Sequence, residues 1–157
     1  MRRHFSSVLI IMLSIACVGN AQQRKQFGKI ALTLGWVEVE SPGAEAKRVK
    51  IGTTLRVNDI VRTKEKSRVE ISLRGGGKIR LGEKSEMELT KASVMGMHKD
   101  FNANLKKGNV WVSAKAAFGE KKNVAVRTPT AVAAIRGTKY RAEAGEEESS
   151  VLVYEGE

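Results

Sequence analysis

The sequence predicts an all-β fold of many short strands. Apolar residues recur with a period of two, turn-forming residues break the runs at short intervals, and no segment keeps a helical period. Such alternation describes strands with one face in a core and the other in water.

The strands follow in chain order. Val37 and Val39 alternate with Trp36, Glu38 and Glu40, and Val69, Ile71 and Leu73 with Arg68, Glu70, Ser72 and Arg74. The pattern repeats at Ile79 and Leu81, Met87 and Leu89, Val110 and Val112, Val124 and Val126, and Val151 and Val153. From Val69 onward these residues, Met87 and Leu89 aside, are expected to point into one continuous core. Between them stand Pro42-Gly43, Gly52, Asn58-Asp59, Gly75-Gly76-Gly77, Gly82, Gly96, Gly108-Asn109, Gly119, Thr128-Pro129, Gly137 and Gly145, residues that favour tight turns. Thr130 to Ile135 reads as a brief corner. A solenoid-like, roll or sandwich arrangement satisfies the pattern equally.

The N-terminus reads as a targeting segment. Arg2, Arg3 and His4 precede an apolar run from Val8 to Val18, too short to span a bilayer, and Gly19-Asn20-Ala21 offers a cleavage site before Gln22. The expected organisation is a signal peptide over 1–21, a polar lead-in over 22–34, and a β domain over 35–157 that ends within or just after its last strand. The protein is then exported, to the periplasm or beyond, with no transmembrane span after cleavage. Ser14-Ile15-Ala16-Cys17 keeps a second reading open, a lipoprotein anchored through Cys17. An uncleaved anchor and a twin-arginine signal carry less weight.

Lys and Arg number 28 against 17 acidic residues, a net charge of +11. Anionic partners are favoured. Behind a signal peptide these are envelope proteins or anionic envelope polymers rather than nucleic acid. Catalysis has little to draw on, since beyond the signal peptide the chain holds one His (His98), two Asp (Asp59 and Asp100) and no Cys. No catalytic, cofactor or metal site is expected. His98 and Asp100 fall in a polar stretch read as a solvated loop, Glu146-Glu147-Glu148 reads as a loop tip, and Asp59 as a turn former. Trp36 and Trp111 alternate with inward valines and are expected on wet faces. Together with Arg62, Arg68 and Arg80 they form the candidate partner surface. The oligomeric state is not legible.

One ordered set of motifs is more specific. Gly35-Trp36-Val37-Glu38-Val39 opens it, followed by Gly52, Leu55, Asn58-Asp59-Ile60-Val61 and Thr63, with Asn58 where glycine is usual. Ser67 to Leu73 leads through Gly75-Gly76-Gly77 into Lys78 to Leu81; Leu105, Gly108 and Val110 come next, then Thr128-Pro129, Arg136-Gly137-Thr138 and Glu155-Gly156. The set resembles the FecR domain, a β-rich module of bacterial envelope proteins, from about Gly35 to Gly156. The resemblance implies a non-enzymatic extracytoplasmic module that binds, senses or scaffolds. It gives Asp59, Thr128, Pro129, Arg136, Gly137 and Thr138 as motif positions, expected to be structural. Arg136, between an apolar run and a Gly-Thr turn, is expected to fix a corner through its guanidinium rather than to bind an anion. The best-known relatives grip a sigma factor and an outer-membrane transporter; no helical domain precedes the apolar segment here, so a direct sigma-factor grip is not expected. The alternative function is a basic structural protein held on cell-wall or surface polysaccharide.

Overall fold

The computed structural model describes residues 24–114, 116–136, 139–145 and 149–155, with the backbone alone over 133–136. The expected signal peptide, Gly137, Thr138 and Glu146 to Glu148 lie outside the described residues. Thirteen strands follow in order: β1 Gln26–Leu34, β2 Val37–Glu40, β3 Lys47–Arg48, β4 Thr54–Arg56, β5 Ile60–Thr63, β6 Arg68–Leu73, β7 Lys78–Leu81, β8 Glu86–Met95, β9 His98–Ser113, β10 Lys121–Arg127, β11 Val132–Arg136, β12 Lys139–Ala144 and β13 Ser149–Glu155. The all-β expectation holds: the described residues contain no helix.

All thirteen strands belong to one sheet, and β9 explains how it curls. The first part of β9 pairs with β8 and, in parallel, with β10; its last six residues pair with β7 and β12. Half A therefore runs β4-β1-β6-β7-β9-β12-β13 and half B runs β3-β2-β5-β8-β9-β10-β11. Gly108 marks the passage from one half to the other. Its φ is +91°, and a β-carbon there would stand 2.2 Å from Ser85 Oγ, so only glycine fits.

The two halves enclose one core. Phe27 from β1 meets Phe101 from β9 edge to face, ring centres 5.4 Å apart, and both are fully buried. Val69, Ile71, Leu73, Ile79, Leu81, Val110, Val112, Val124 and Val126 are buried with them, each worth about 1.5–3 kcal/mol of transfer free energy. Tyr140 joins the halves directly. Its buried ring sits on β12, and its hydroxyl donates to the Val124 carbonyl of β10 at 2.9 Å.

Four expectations need correction. Residues 26–34, read as part of a lead-in, form β1, paired to both β4 and β6. Register shifts between Gln26 and Gly28 and between Ile30 and Leu32 break its period of two, which hid the strand. The stretch around His98 and Asp100 is the start of β9, its polar residues facing out between buried Phe101, Ala103 and Leu105. Residues Val132–Arg136, read as part of a corner, are a strand in register with β10, from Arg127↔Val132 to Asn123↔Arg136. Val153, placed in the core, is 50% exposed because β13 is the edge of half A; Val151 is half-buried against the core.

Candidate partner-binding face

Sheet periodicity sends alternate residues of half A outward, and register lines them up across strands. Leu32 stands beside Glu70, Glu70 beside Arg80, Arg80 beside Trp111, Trp111 beside Arg141, and Arg141 beside Leu152. Leu32, Glu70, Arg80 and Trp111 of this row line a trough of about 670 Å³, with Arg68, Lys78, Ser113, Lys139 and Tyr154 beside them; Arg141 and Leu152 continue the row next to it. Among the described residues Arg68, Lys78, Arg80 and Lys139 line it together with one carboxylate, Glu70.

Glu70 pairs with two of those cations. Lys78 Nζ reaches its Oε1 at 2.8 Å and Arg80 Nε its Oε2 at 2.6 Å. The hydrogen bonds from Lys78 and then Arg80 hold the Glu70 carboxyl below the usual carboxylate range. Arg141 lies over the Trp111 indole, 4.7 Å from its centre, and its Nε is buried without a hydrogen-bond partner. Arg68 makes no side-chain hydrogen bond or ion pair among the described residues. Apolar surface rims the trough, with Leu32, Tyr154 and Leu152 each more than half exposed.

The outward face of half B is built differently. Glu38, Glu40, Glu86 and Glu88 meet Arg62, Lys64 and Lys106 in a closed ladder: Arg62 bonds Glu40 and Glu86, Lys64 pairs with Glu38 at 3.4 Å, and Lys106 lies 3.7 Å from Glu86. The hydrogen bond from Trp36 Nε1, ahead of Lys64, keeps the Glu38 carboxyl low, and Glu40 and Glu86 raise the Arg62 guanidinium. These charges satisfy one another.

The sequence-derived surface therefore divides. Trp111, Arg68 and Arg80 share the trough. Arg62 belongs to the opposite ladder, and Trp36, on the link from β1 to β2, stacks under Arg48 at 4.5 Å and donates to Glu38 at 2.6 Å. Glu70, Lys139, Tyr154 and Arg141 were not among the expected surface residues, because only strand register shows that they adjoin Trp111.

The motif residues sit at corners. Asp59, almost fully buried, accepts from the Arg56 backbone N–H at 2.8 Å, from Ser41 Oγ at 2.7 Å and from Arg24, tying the β4–β5 turn to two distant segments. Asn58 beside it takes φ 69°, the left-handed conformation glycine usually fills. Thr128 closes the β10–β11 hairpin, its Oγ1 accepting from Ala131 N–H at 2.9 Å, with Pro129 inside the turn. Arg136 is the last residue of β11, backbone-paired with Asn123; Gly137 and Thr138 lie outside the described residues. At the β6–β7 tip Lys99 donates to the Gly75 carbonyl at 2.8 Å and pairs with Glu120, which also meets Lys122 at 3.1 Å. The Lys99 hydrogen bond, then one from the Ala117 backbone, lowers the Glu120 carboxyl to about 2. No group of three His, Cys, Asp or Glu converges among the described residues, and no helix there is long and apolar enough to cross a membrane.

An all-β body with one open, basic face and one closed face has the makings of a binding module. The profile of the FecR protein family matches residues 59–157, and the chain belongs to that family, an envelope-associated group of sensing and signal-transduction modules. The match starts in the turn before β5, yet β1 pairs with β6 inside the same core. No curated protein and no solved structure matches the chain.

Proposed function

We propose that this chain is an exported, non-enzymatic FecR-family module that senses or scaffolds by binding an acidic envelope protein in the trough of half A. One observation carries the reading: Arg68, without a partner among the described residues, stands with Lys78, Arg80 and Glu70 beside Trp111 and Tyr154, whereas on the other face Arg62 and Lys64 are paired to Glu40, Glu86 and Glu38. Aromatic and arginine side chains are the residues that most often anchor protein interfaces, and a cationic surround selects acidic partners. The motif residues Asp59, Thr128 and Pro129 then hold corners of the scaffold, and Arg136 through Thr138 are read in the same role.

The net charge of +11 favours a second reading, retention on an anionic envelope polymer by charge alone. Salt separates them. Polymer retention should disappear as the Debye length shrinks from about 10 Å at 0.1 M toward 3 Å at 1 M. A docked partner buried on Trp111 should stay bound at the higher salt. Capture of one envelope protein that survives the salt step supports the sensing module; complete release, with retention on purified polymer at low salt, overturns it.

A further inference from the structure

We propose that the β8–β9 hairpin tip is a binding site for a soft monovalent metal ion, Cu(I) or its redox-inert analogue Ag(I), held by Met95, Met97 and His98. The register makes Met95 and His98 direct partners across the hairpin, the pair nearest the turn formed by Gly96 and Met97. Side chains so paired stand on one face with β-carbons about 4.5–5.5 Å apart, close enough for a thioether and an imidazole to share one ion. Met97 sits between them in sequence.

The tip is exposed and held in place. Met95 is 73% and Met97 51% exposed, and His98 is exposed beside them. The Met97 carbonyl accepts from Lys121 N–H at 2.8 Å, fixing the turn against β10. The Met97 methyl lies close to Gly119 in the link to β10, where a β-carbon would stand 3.4 Å from Met97 Cε, an ordinary contact. None of the three side chains has a hydrogen-bond or ion-pair partner among the described residues. Three soft or borderline donors within four residues, all solvent-facing, form a set that suits Cu(I) and offers nothing to oxygen-preferring ions. The remaining described methionine, Met87, is fully buried and cannot compete. The expectation of no metal rests on His98 taken together with Asp100 and does not include the methionines.

The test is calorimetric titration with Ag(I), using the full chain with Cys17→Ser in every sample so that no thiolate competes. The triple variant Met95→Leu/Met97→Leu/His98→Gln is expected to bind one Ag(I) fewer per chain than the parent, with Zn(II) showing no such difference. Met95→Leu, Met97→Leu and His98→Gln should each weaken Ag(I) at least tenfold, and the His98 imidazole resonances should shift on metal addition in the parent. Leucine preserves the apolar area, so an effect of hydrophobicity would survive these changes. Equal Ag(I) affinity in parent and triple variant overturns the proposal. So would equal pelleting of both proteins with phosphatidylglycerol vesicles, lost on substitution Phe118→Ser of the fully exposed phenylalanine in the neighbouring β9–β10 link, if no Ag(I) difference accompanied it; the tip would then belong to a lipid surface.

Discussion

The outward faces of the two halves use the same alternation to opposite effect. On half B, Glu38, Glu40, Glu86 and Glu88 are matched by Arg62, Lys64 and Lys106 within the face itself. On half A the cations outnumber Glu70, Arg68 has no partner among the described residues, and Trp111, Leu32 and Tyr154 add apolar area. A face that neutralises itself offers a partner little, because every new contact must displace an existing one. A basic face with aromatic relief, on which Arg68 has no partner among the described residues, keeps interaction free energy for something else. The difference separates scaffold from site more clearly than total charge does.

The comparison assumes a common core behind both faces, and the largest effects test that assumption. Ile71→Asp in half A and Val126→Asp in half B each bury an unpaired charge at a fully buried position; each should destabilise by several kcal/mol and abolish a cooperative urea transition. If one variant melted like the parent while the other unfolded, the halves would not share a core. Gly108→Ala, at the passage of β9, should cost about 2 kcal/mol or more, read as a lower thermal midpoint, since it meets both positive φ and Ser85. Tyr140→Phe removes the hydroxyl link to Val124 and should cost about 1 kcal/mol, leaving the unfolding slope unchanged.

Smaller effects sharpen the contrast between the faces. Lys64→Glu and Lys106→Glu on half B should each change stability by less than about 1 kcal/mol, because exposed ion pairs contribute little. The carboxyls of Glu38 and Glu70 are held low by their hydrogen-bonded partners; at Glu86 burial opposes the lowering, but Arg62, Lys106 and Lys107 outweigh it. A carboxyl with a folded pKa below its unfolded value stabilises above the ordinary range near about 4.3 and loses that contribution as pH falls through the folded value. Acid melts below about pH 4 should therefore flatten more in Glu38→Gln/Glu86→Gln than in Glu70→Gln. Equal flattening would mean that Glu38 and Glu86 together contribute no more to the acid response than Glu70 alone.

Much of this was legible in the sequence where the period of two ran unbroken. Val69 to Leu73, Ile79 and Leu81, Val110 and Val112, and Val124 and Val126 are buried as their alternation required. Where the period failed, so did the reading. The two register shifts in β1 put Phe27 and Ile30 in the core three residues apart, a spacing alternation does not anticipate. In β11 the run of alanines diluted the signal, and in β13 alternation could not tell an edge from an interior strand. The binding face was half legible. That Trp111 and Arg80 lie outward follows from alternation, but that Arg80 stands between Glu70 and Trp111, with Arg141 over the indole, is fixed by pairing between strands distant in sequence, which local pattern does not encode.

The most direct measurement compares charge reversals matched in size on the two faces. Arg68→Glu/Arg80→Glu on half A and Lys64→Glu/Lys106→Glu on half B change net charge equally. Quantitative capture of an envelope partner by parent and both variants, at matched folded fractions, reads the difference. Loss of capture by the half A variant, with the half B variant retaining that of the parent, is the predicted result. Equal loss by both would show that bulk charge holds the partner, and full retention by the half A variant would show that the trough is not the binding face.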